Sequence, residues 1–126
     1  MPLPKAEIAG RCLQGIVATV LVLAGLLKLV GVGAEDMLEG LAKAHLLQHQ
    51  SLISWTAIAC GVLLAIPYTR KLGWLLSTAY WGGAIVAHLT YDDSVLMPAA
   101  FQALLWAGIW LEQRARWSPA NSPVTE

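Results

Sequence analysis

The sequence predicts an all-α integral membrane protein, a four-helix antiparallel bundle with a short amphipathic interfacial helix between the first and second spans. Hydrophobic residues make up 57% of the chain and charged residues 13%, and the mean hydropathy is +0.60. Soluble domains carry about 25% charged residues, and a chain of 126 residues has too much surface for its volume to bury so many apolar side chains. Apolar residues are also concentrated in four long segments, separated by connections that differ in charge.

These apolar segments have the length that a membrane-spanning helix needs, roughly 25–30 Å at about 1.5 Å per residue. Backbone polar groups in lipid must be satisfied within the segment, so helices are predicted. Lys28 and His88 are the only Lys, Arg, His, Asp or Glu residues inside them, and Pro98 suits the first turn of the last helix. The predicted spans are residues 12–32, 52–68, 72–90 and 95–111.

One membrane domain is predicted over residues 1–116, followed by a polar tail, residues 117–126, whose composition is typical of disorder. The first apolar segment is longer than the apolar core of a signal peptide. Lys28 also interrupts it before the small-residue sequence VGA at 32–34. We therefore expect this segment to be retained as a span.

The charges predict the orientation of the bundle. Six basic residues lie on the side of the termini and the second connection, whereas the other side has two lysines against five acidic residues. Cytoplasmic loops are enriched in Lys and Arg, so both termini should be cytoplasmic, and we expect a bacterial cytoplasmic membrane. The outer connection, residues 34–50, predicts the amphipathic helix because Met37, Leu38 and Leu41 share a face. A neutral chain with this charge distribution argues against a nucleic-acid partner.

Two functional classes are disfavoured. Cys12 and Cys60 would differ by about 13 Å in depth, beyond the reach of a disulfide, and no C-x-x-C motif is present, so thiol–disulfide chemistry has no support. A small transporter ranks last among the functions considered, because Gln14 and Gln102 are the main polar groups available to line a path.

His45 and His49 predict a metal site as one alternative. Four residues apart, they would place both rings on one face of the outer helix. Glu39, Asp92 or Asp93 would complete the ligands of a divalent metal. The alternative is a solvated helix face without a metal. Histidine pairs at this spacing are common on polar helix faces, and the glutamate that follows the first histidine in metalloproteases is missing.

The stretch YWGGAIVAHLTYDD, residues 80–93, contains the main candidate site. With Lys28, it predicts a pocket at the outer end of the bundle, since an ionisable residue within a span is a functional candidate. Lys28 and His88 would donate hydrogen bonds to a quinone head group or a small anion. No catalytic residue is assigned. The candidate ligand-binding residues are Lys28, Tyr80, Trp81, His88, Tyr91 and Asp92.

The same residues also have a structural interpretation. Lys28 and His88 lie at the C-terminal ends of their helices, where cations meet the negative end of the helix dipole. Asp92 precedes the last helix, where an anion suits the N-terminus. Separately, Gly82 and Gly83 predict the close approach of another helix to the third span.

Several stretches taken together resemble the DoxX-like family of small four-helix integral membrane proteins. They are LAGLLKLVG at the end of the first span, the amphipathic outer helix, IACGVLLAIP in the second span, and YWGGAIVAHLTYDD before a proline-started last span. The resemblance covers about residues 10–115. It implies a four-helix membrane protein associated with thiosulfate:quinone oxidoreductase, with membrane oxidoreductase complexes or, in distant relatives, with the assembly of other membrane proteins. Lys28, Gly82 and His88 stand at positions that resemble the family's sequence pattern, and the resemblance implies no catalytic role for them.

Three functions follow as hypotheses. In the first, the protein is an accessory, anchoring or assembly subunit of a larger membrane complex, and its partners are the lipid bilayer and either other membrane-protein subunits or a second copy. In the second, it is a quinone-binding redox subunit that uses Lys28 and His88 and takes any redox cofactor from elsewhere. In the third, it is a small transporter.

Overall fold

The computed structural model describes residues 4–117, and all regular secondary structure in this range is helical. This confirms the all-α prediction for these residues. Short 3-10 helices at Leu47–His49 and Pro67–Thr69 precede the third and fourth α-helices. The predicted polar tail lies, apart from Trp117, outside the described residues. The α-helices are α1 (Lys5–Val30), α2 (Glu35–Lys43), α3 (Gln50–Ala65), α4 (Arg70–Thr90) and α5 (Leu96–Arg116).

Local sequence explains where the helices begin and end. Gly31 has a left-handed backbone, φ 80°, and its N–H donates to the Leu27 carbonyl oxygen at 2.8 Å, which terminates α1. Ile66 is extended, as a residue before proline prefers to be, so α3 ends there and Pro67 opens the turn into α4. Pro98 lies in the first turn of α5, as predicted, where its missing N–H removes no helical hydrogen bond.

Helix α1 lies between α3 and α5, and glycines let the backbones approach closely. A Cβ atom on Gly10 would lie 2.5 Å from the Gly108 carbonyl oxygen, so the beginning of α1 touches the later part of α5. A Cβ atom on Gly61 would lie 2.7 Å from the Ala18 carbonyl oxygen, so α3 approaches α1 in the same way. No larger residue fits at Gly10 or Gly61 without moving a helix.

The glycine through which α4 packs is not one of those predicted. A Cβ atom on Gly73 would lie 2.6 Å from the Leu64 backbone nitrogen of α3. A Cβ atom on Gly82 or Gly83, by contrast, would have no neighbouring atom within 4 Å, so no helix of residues 4–117 packs onto these glycines. Within the described chain the two glycines therefore pack against no helix, and the expectation that they let another helix approach stays a prediction about a partner. The short connection after α3 brings α3 and α4 together near Gly73 instead.

The apolar core forms among α1, α3, α4 and α5. Helix α1 contributes Val17, Ala18 and Leu21, which lie on one stripe at helical spacing. Cys12 and Cys60 are both free thiols, the first exposed and the second in this core. The core residues from the other helices are Ala57, Cys60, Leu64, Trp81, Leu105 and Ile109.

Among residues 4–117, α1 is the one helix that is long and apolar enough by itself to cross a membrane. A second candidate arises if Leu47–Ala65 and Pro67–Thr90, which meet at 107°, form one broken span. Helix α3 has only 16 residues, and the Trp, Gly and other weakly hydrophobic residues of α4 and α5 lower their mean hydropathy. All four predicted segments are helical. Only one of them, or two if the bent pair counts as one span, has the length and mean hydropathy of a membrane-spanning helix within residues 4–117.

Candidate functional site

Lys28 is buried in the predicted outer site, with 6% of its surface exposed. Its Nζ donates a hydrogen bond of 2.9 Å to the Tyr80 hydroxyl and lies 5.7 Å from the centre of the Tyr80 ring. No carboxylate of residues 4–117 lies within 4 Å of this ammonium group. An ammonium carries three donors, so two N–H groups are left for a ligand.

Aromatic side chains extend this site toward α5. Trp81 meets Tyr80 edge-on, with ring centres 5.5 Å apart, and stacks on Phe101 at 5.1 Å. The Trp81 Nε1 and the Gln102 Oε1 are buried and have no hydrogen-bond partner within residues 4–117. Buried polar atoms are usually paired, so these two favour an additional partner. We call Lys28, Tyr80 and Trp81 the Lys28 cluster.

His88 and Tyr91 contact each other, and His88 also bonds within its own helix. The His88 ring lies 5.6 Å from the Tyr91 ring, and its Nδ1 is 2.7 Å from the Ala84 carbonyl oxygen of its own helix. Asp92 is exposed and has a left-handed backbone, φ 53°. No polar contact within residues 4–117 joins His88 or Asp92 to Lys28. The prediction that all six residues line one pocket stays a prediction, and positions 80 and 88 are about 12 Å apart along α4.

Tyr91 connects the end of α4 to α2. Its hydroxyl oxygen would lie 2.9 Å from a Cβ atom on Gly40, so the phenol covers this glycine. Burial and the Asp93 carboxylate raise the pKa of the Tyr91 phenol above its ordinary value, and the Lys43 ammonium acts in the opposite direction. Tyr91 is therefore held as a neutral phenol, which suits packing between α2 and α4.

The two histidines of the predicted metal site lie on different elements. Helix α2 ends at Lys43, His45 has a left-handed backbone with φ 59°, and His49 is the last residue of the 3-10 helix Leu47–His49. The expectation that both rings share one helix face is wrong, because the chain leaves helical geometry between them. Within residues 4–117, no group of three His, Cys, Asp or Glu residues is placed to hold a metal ion.

The most extensive polar site lies at the opposite end of the long helices and centres on Glu112, whose side chain has no exposed surface. Its Oε1 accepts hydrogen bonds from Arg70 of α4 and, at 3.1 Å, from Arg116 one turn later in α5. Its Oε2 accepts a hydrogen bond of 2.7 Å from Gln14 Nε2 of α1. Trp74 Nε1 donates to Gln14 Oε1, also at 2.7 Å. Three helices therefore meet at one carboxylate.

Glu7 extends this network on α1. Arg11 Nη2 donates to Glu7 Oε1 at 2.7 Å, and Arg11 Nε lies 3.6 Å from Glu112 Oε1. Arg116 Nε lies 3.6 Å from Glu7 Oε1, so both arginines bridge the two carboxylates. We call this group the Glu112 cluster; it consists of Glu7, Arg11, Gln14, Arg70, Trp74, Glu112 and Arg116.

Sequence reasoning missed the Glu112 cluster because it assigned these charges to loops. The predicted first span began at residue 12 and the last ended at residue 111, whereas α1 begins at Lys5 and α5 continues to Arg116. A signal was present on α1: Glu7, Gln14 and Lys28 lie at multiples of seven residues from one another, on the face that also buries Leu21. Polar residues on a buried stripe need polar partners from neighbouring helices.

No protein-family model, curated protein or solved structure matches the chain. The DoxX-like resemblance therefore stays a prediction, and a function has to be argued from the polar clusters and the helix surfaces.

Proposed function

We propose that the chain is a small integral membrane protein of the bacterial cytoplasmic membrane, with α1, α3, α4 and α5 arranged as an antiparallel bundle across the bilayer. Only 33% of the apolar stretch of α1 is buried inside the protein, unlike the core helix of a soluble domain. Large apolar side chains also point outward on every long helix. Leu23, Trp55, Leu75 and Trp106 are 49–67% exposed. A surface of this kind is stable when lipid covers it.

The charges support an orientation with the Glu112 cluster on the cytoplasmic side. This end carries the arginines of the cluster and Lys71, whereas α2 begins with Glu35 and Asp36, and Asp92 and Asp93 lie between α4 and α5. Basic residues are retained on the cytoplasmic side of membrane proteins. Both termini are then cytoplasmic, and the Lys28 cluster lies toward the outer surface.

Within the membrane, the protein acts as an accessory, anchoring or assembly subunit of a larger complex. One observation carries this proposal: Ala79 and Gly83, four residues apart on α4, are both exposed, and a Cβ atom on Gly83 would meet nothing within 4 Å. Small residues at this spacing let a helix of another subunit approach closely. The DoxX-like resemblance is the reason to expect an oxidoreductase complex as the partner, with a second copy of this chain as the alternative.

Gly83→Leu is expected to reduce the amount of bound partner about tenfold, because overpacking an interface costs about 1–3 kcal/mol. The measurement is purification from native membranes in mild detergent, followed by mass spectrometry of the proteins retained. Ala103→Leu is the matched control, since Ala103 is exposed on α5 and does not belong to the small-residue face. Equal retention in the two variants would exclude docking through α4, and a monomer without any partner would contradict the accessory role.

The Lys28 cluster favours a second candidate function, the binding of a quinone head group. A quinone carbonyl oxygen accepts hydrogen bonds, and Lys28 has two N–H groups without a partner in residues 4–117. The Tyr80 and Trp81 rings supply apolar walls for a planar ligand. The chain would then hold the quinone, and any electron transfer would need a redox cofactor from a partner.

Lys28→Met is expected to reduce copurified quinone at least about tenfold, because a hydrogen bond to a charged group contributes about 1.5–3 kcal/mol. Methionine has a similar length, and removing a buried cation that has no carboxylate partner should offset the loss of its hydrogen bond to Tyr80. Lys43→Met serves as control, since Lys43 is an exposed outer lysine paired with Glu39. Unchanged quinone content in Lys28→Met protein would leave the Lys28 cluster with a structural role only.

A further inference from the structure

A cavity of about 140 Å³ lies beside the Glu112 cluster, and more cations than carboxylates surround it. Arg11, Arg70, Lys71 and Arg116 line it. The carboxylates of Glu7 and Glu112 offset two of these four cations, so an excess of two positive charges remains. Lys71 makes no ion pair with residues 4–117, whereas Arg11 Nε lies 3.6 Å from Glu112 Oε1 without forming a hydrogen bond. Charge and hydrogen-bond donors are therefore both available to an anion.

An apolar groove of about 470 Å³ runs between α1 and α3. Small residues line its walls and leave space between the two helices. They are Gly15 and Ala18 on α1 and Gly61 on α3. Between Gly15 and Leu23 the groove follows α1 for about 12 Å, close to half of the roughly 30 Å hydrocarbon core of a bilayer. The groove thus has the depth of one leaflet.

The charged cavity and the apolar groove adjoin at two points of the chain. Arg11 of the cavity lies one helical turn before Gly15 of the groove, on the same face of α1. Ile66 of the groove is followed directly by Pro67 of the cavity. A ligand with an anionic head and an apolar chain would occupy both.

We propose that this end of the protein binds one anionic phospholipid, with its phosphate group in the cavity and one acyl chain in the groove. Guanidinium groups match phosphate oxygens in charge and geometry, and basic pockets between helices on the cytoplasmic side suit anionic head groups. The proposal rests on the membrane placement proposed above. It names the chemical class of the ligand. It also predicts that one lipid contacts both the Glu112 cluster and the groove between α1 and α3.

The test is native mass spectrometry of the full chain in mild detergent with phosphatidylglycerol or phosphatidylcholine of identical acyl chains, and with inorganic phosphate. We expect preferential binding of phosphatidylglycerol. Lys71→Gln should weaken it about fivefold, the contribution of one cation near an anionic lipid. Gly15→Leu, at a site with open space, should fill the groove and weaken lipid but not phosphate binding. Lys43→Gln is the control, since this exposed lysine lies in α2, away from the cavity.

Equal binding of the two lipids would overturn the proposal, as would phosphatidylglycerol binding that neither Lys71→Gln nor Gly15→Leu changes. Binding of inorganic phosphate that depends on Lys71, together with lipid binding that Gly15→Leu leaves intact, would show a free-anion site in place of a lipid site. Resistance to alkaline extraction from membranes is measured in parallel. Extraction of the protein would contradict the membrane placement itself, whereas resistance without lipid preference would contradict only this inference.

Discussion

Glu112→Gln is expected to lower the free energy of unfolding by about 3 kcal/mol, because it removes the one fully buried carboxylate of a charged network. The amide keeps the shape of the side chain, but it leaves Arg70, whose side chain is 14% exposed, without its anion. Removing one partner of a buried ion pair costs about 3–5 kcal/mol. We expect the lower end of that range, since Arg11 and Arg116 are 38% and 45% exposed and stay hydrated.

The measurement for Glu112→Gln is denaturation in mixed detergent micelles, followed by circular dichroism. Glu39→Gln is the matched control, since Glu39 pairs with Lys43 across one turn of α2 and both side chains are more than half exposed. An exposed pair of this kind contributes about 0.3–0.5 kcal/mol. Similar losses in the two variants would show that Glu112 does not hold α1, α4 and α5 together.

Gly10→Ala is expected to destabilise the protein by about 2 kcal/mol, because a methyl group has no room between α1 and α5. Its Cβ atom would lie 2.5 Å from the Gly108 carbonyl oxygen and 2.7 Å from the Glu112 backbone nitrogen. Backbone atoms cannot rotate away, so the two helices have to separate. That separation would also lengthen the hydrogen bond between Gln14 and Glu112, 2.7 Å in the native protein.

Gly15→Ala provides the comparison for Gly10→Ala, on the same helix and with the same chemical change. A Cβ atom on Gly15 would meet nothing within 4 Å. Alanine should therefore leave the stability unchanged or raise it by up to about 1 kcal/mol, the difference in helix propensity. Both variants are measured by thermal unfolding in detergent. Equal and favourable effects at the two positions would contradict the close contact between α1 and α5.

The positions of the helices could be predicted from the sequence to within a few residues in the central segments. Helix α4 covers Arg70–Thr90 against the predicted 72–90, because a long apolar run is bounded by the Pro67 turn and by the polar residues after Thr90. The outer connection was less accurate. The sequence predicted a short amphipathic helix in the connection 34–50 with His45 and His49 on one face, but α2 ends at Lys43, and the break separates His45 from His49.

The candidate outer site could be predicted only in part. Lys28 was found because a charge within an apolar segment is conspicuous in sequence, and in the structure it contacts Tyr80 of α4. No polar contact joins His88 to Lys28 within residues 4–117, so their joint role in one pocket stays a prediction. Tyr80 lies near enough to reach Lys28, whereas His88 bonds within its own helix.

By itself, the sequence determined that the four apolar segments are helical and that charge is distributed unequally between the two ends, because these depend on composition and on spacing along the chain. Only the tertiary structure decided which charges pair. Glu112 binds Gln14 and Arg70, which are 98 and 42 residues away in the chain. Helical periodicity shows which face of α5 is buried, but the partner on the opposing face depends on how α1 and α4 pack against it. For the same reason, the cavity with its excess of positive charge became visible only in the folded chain.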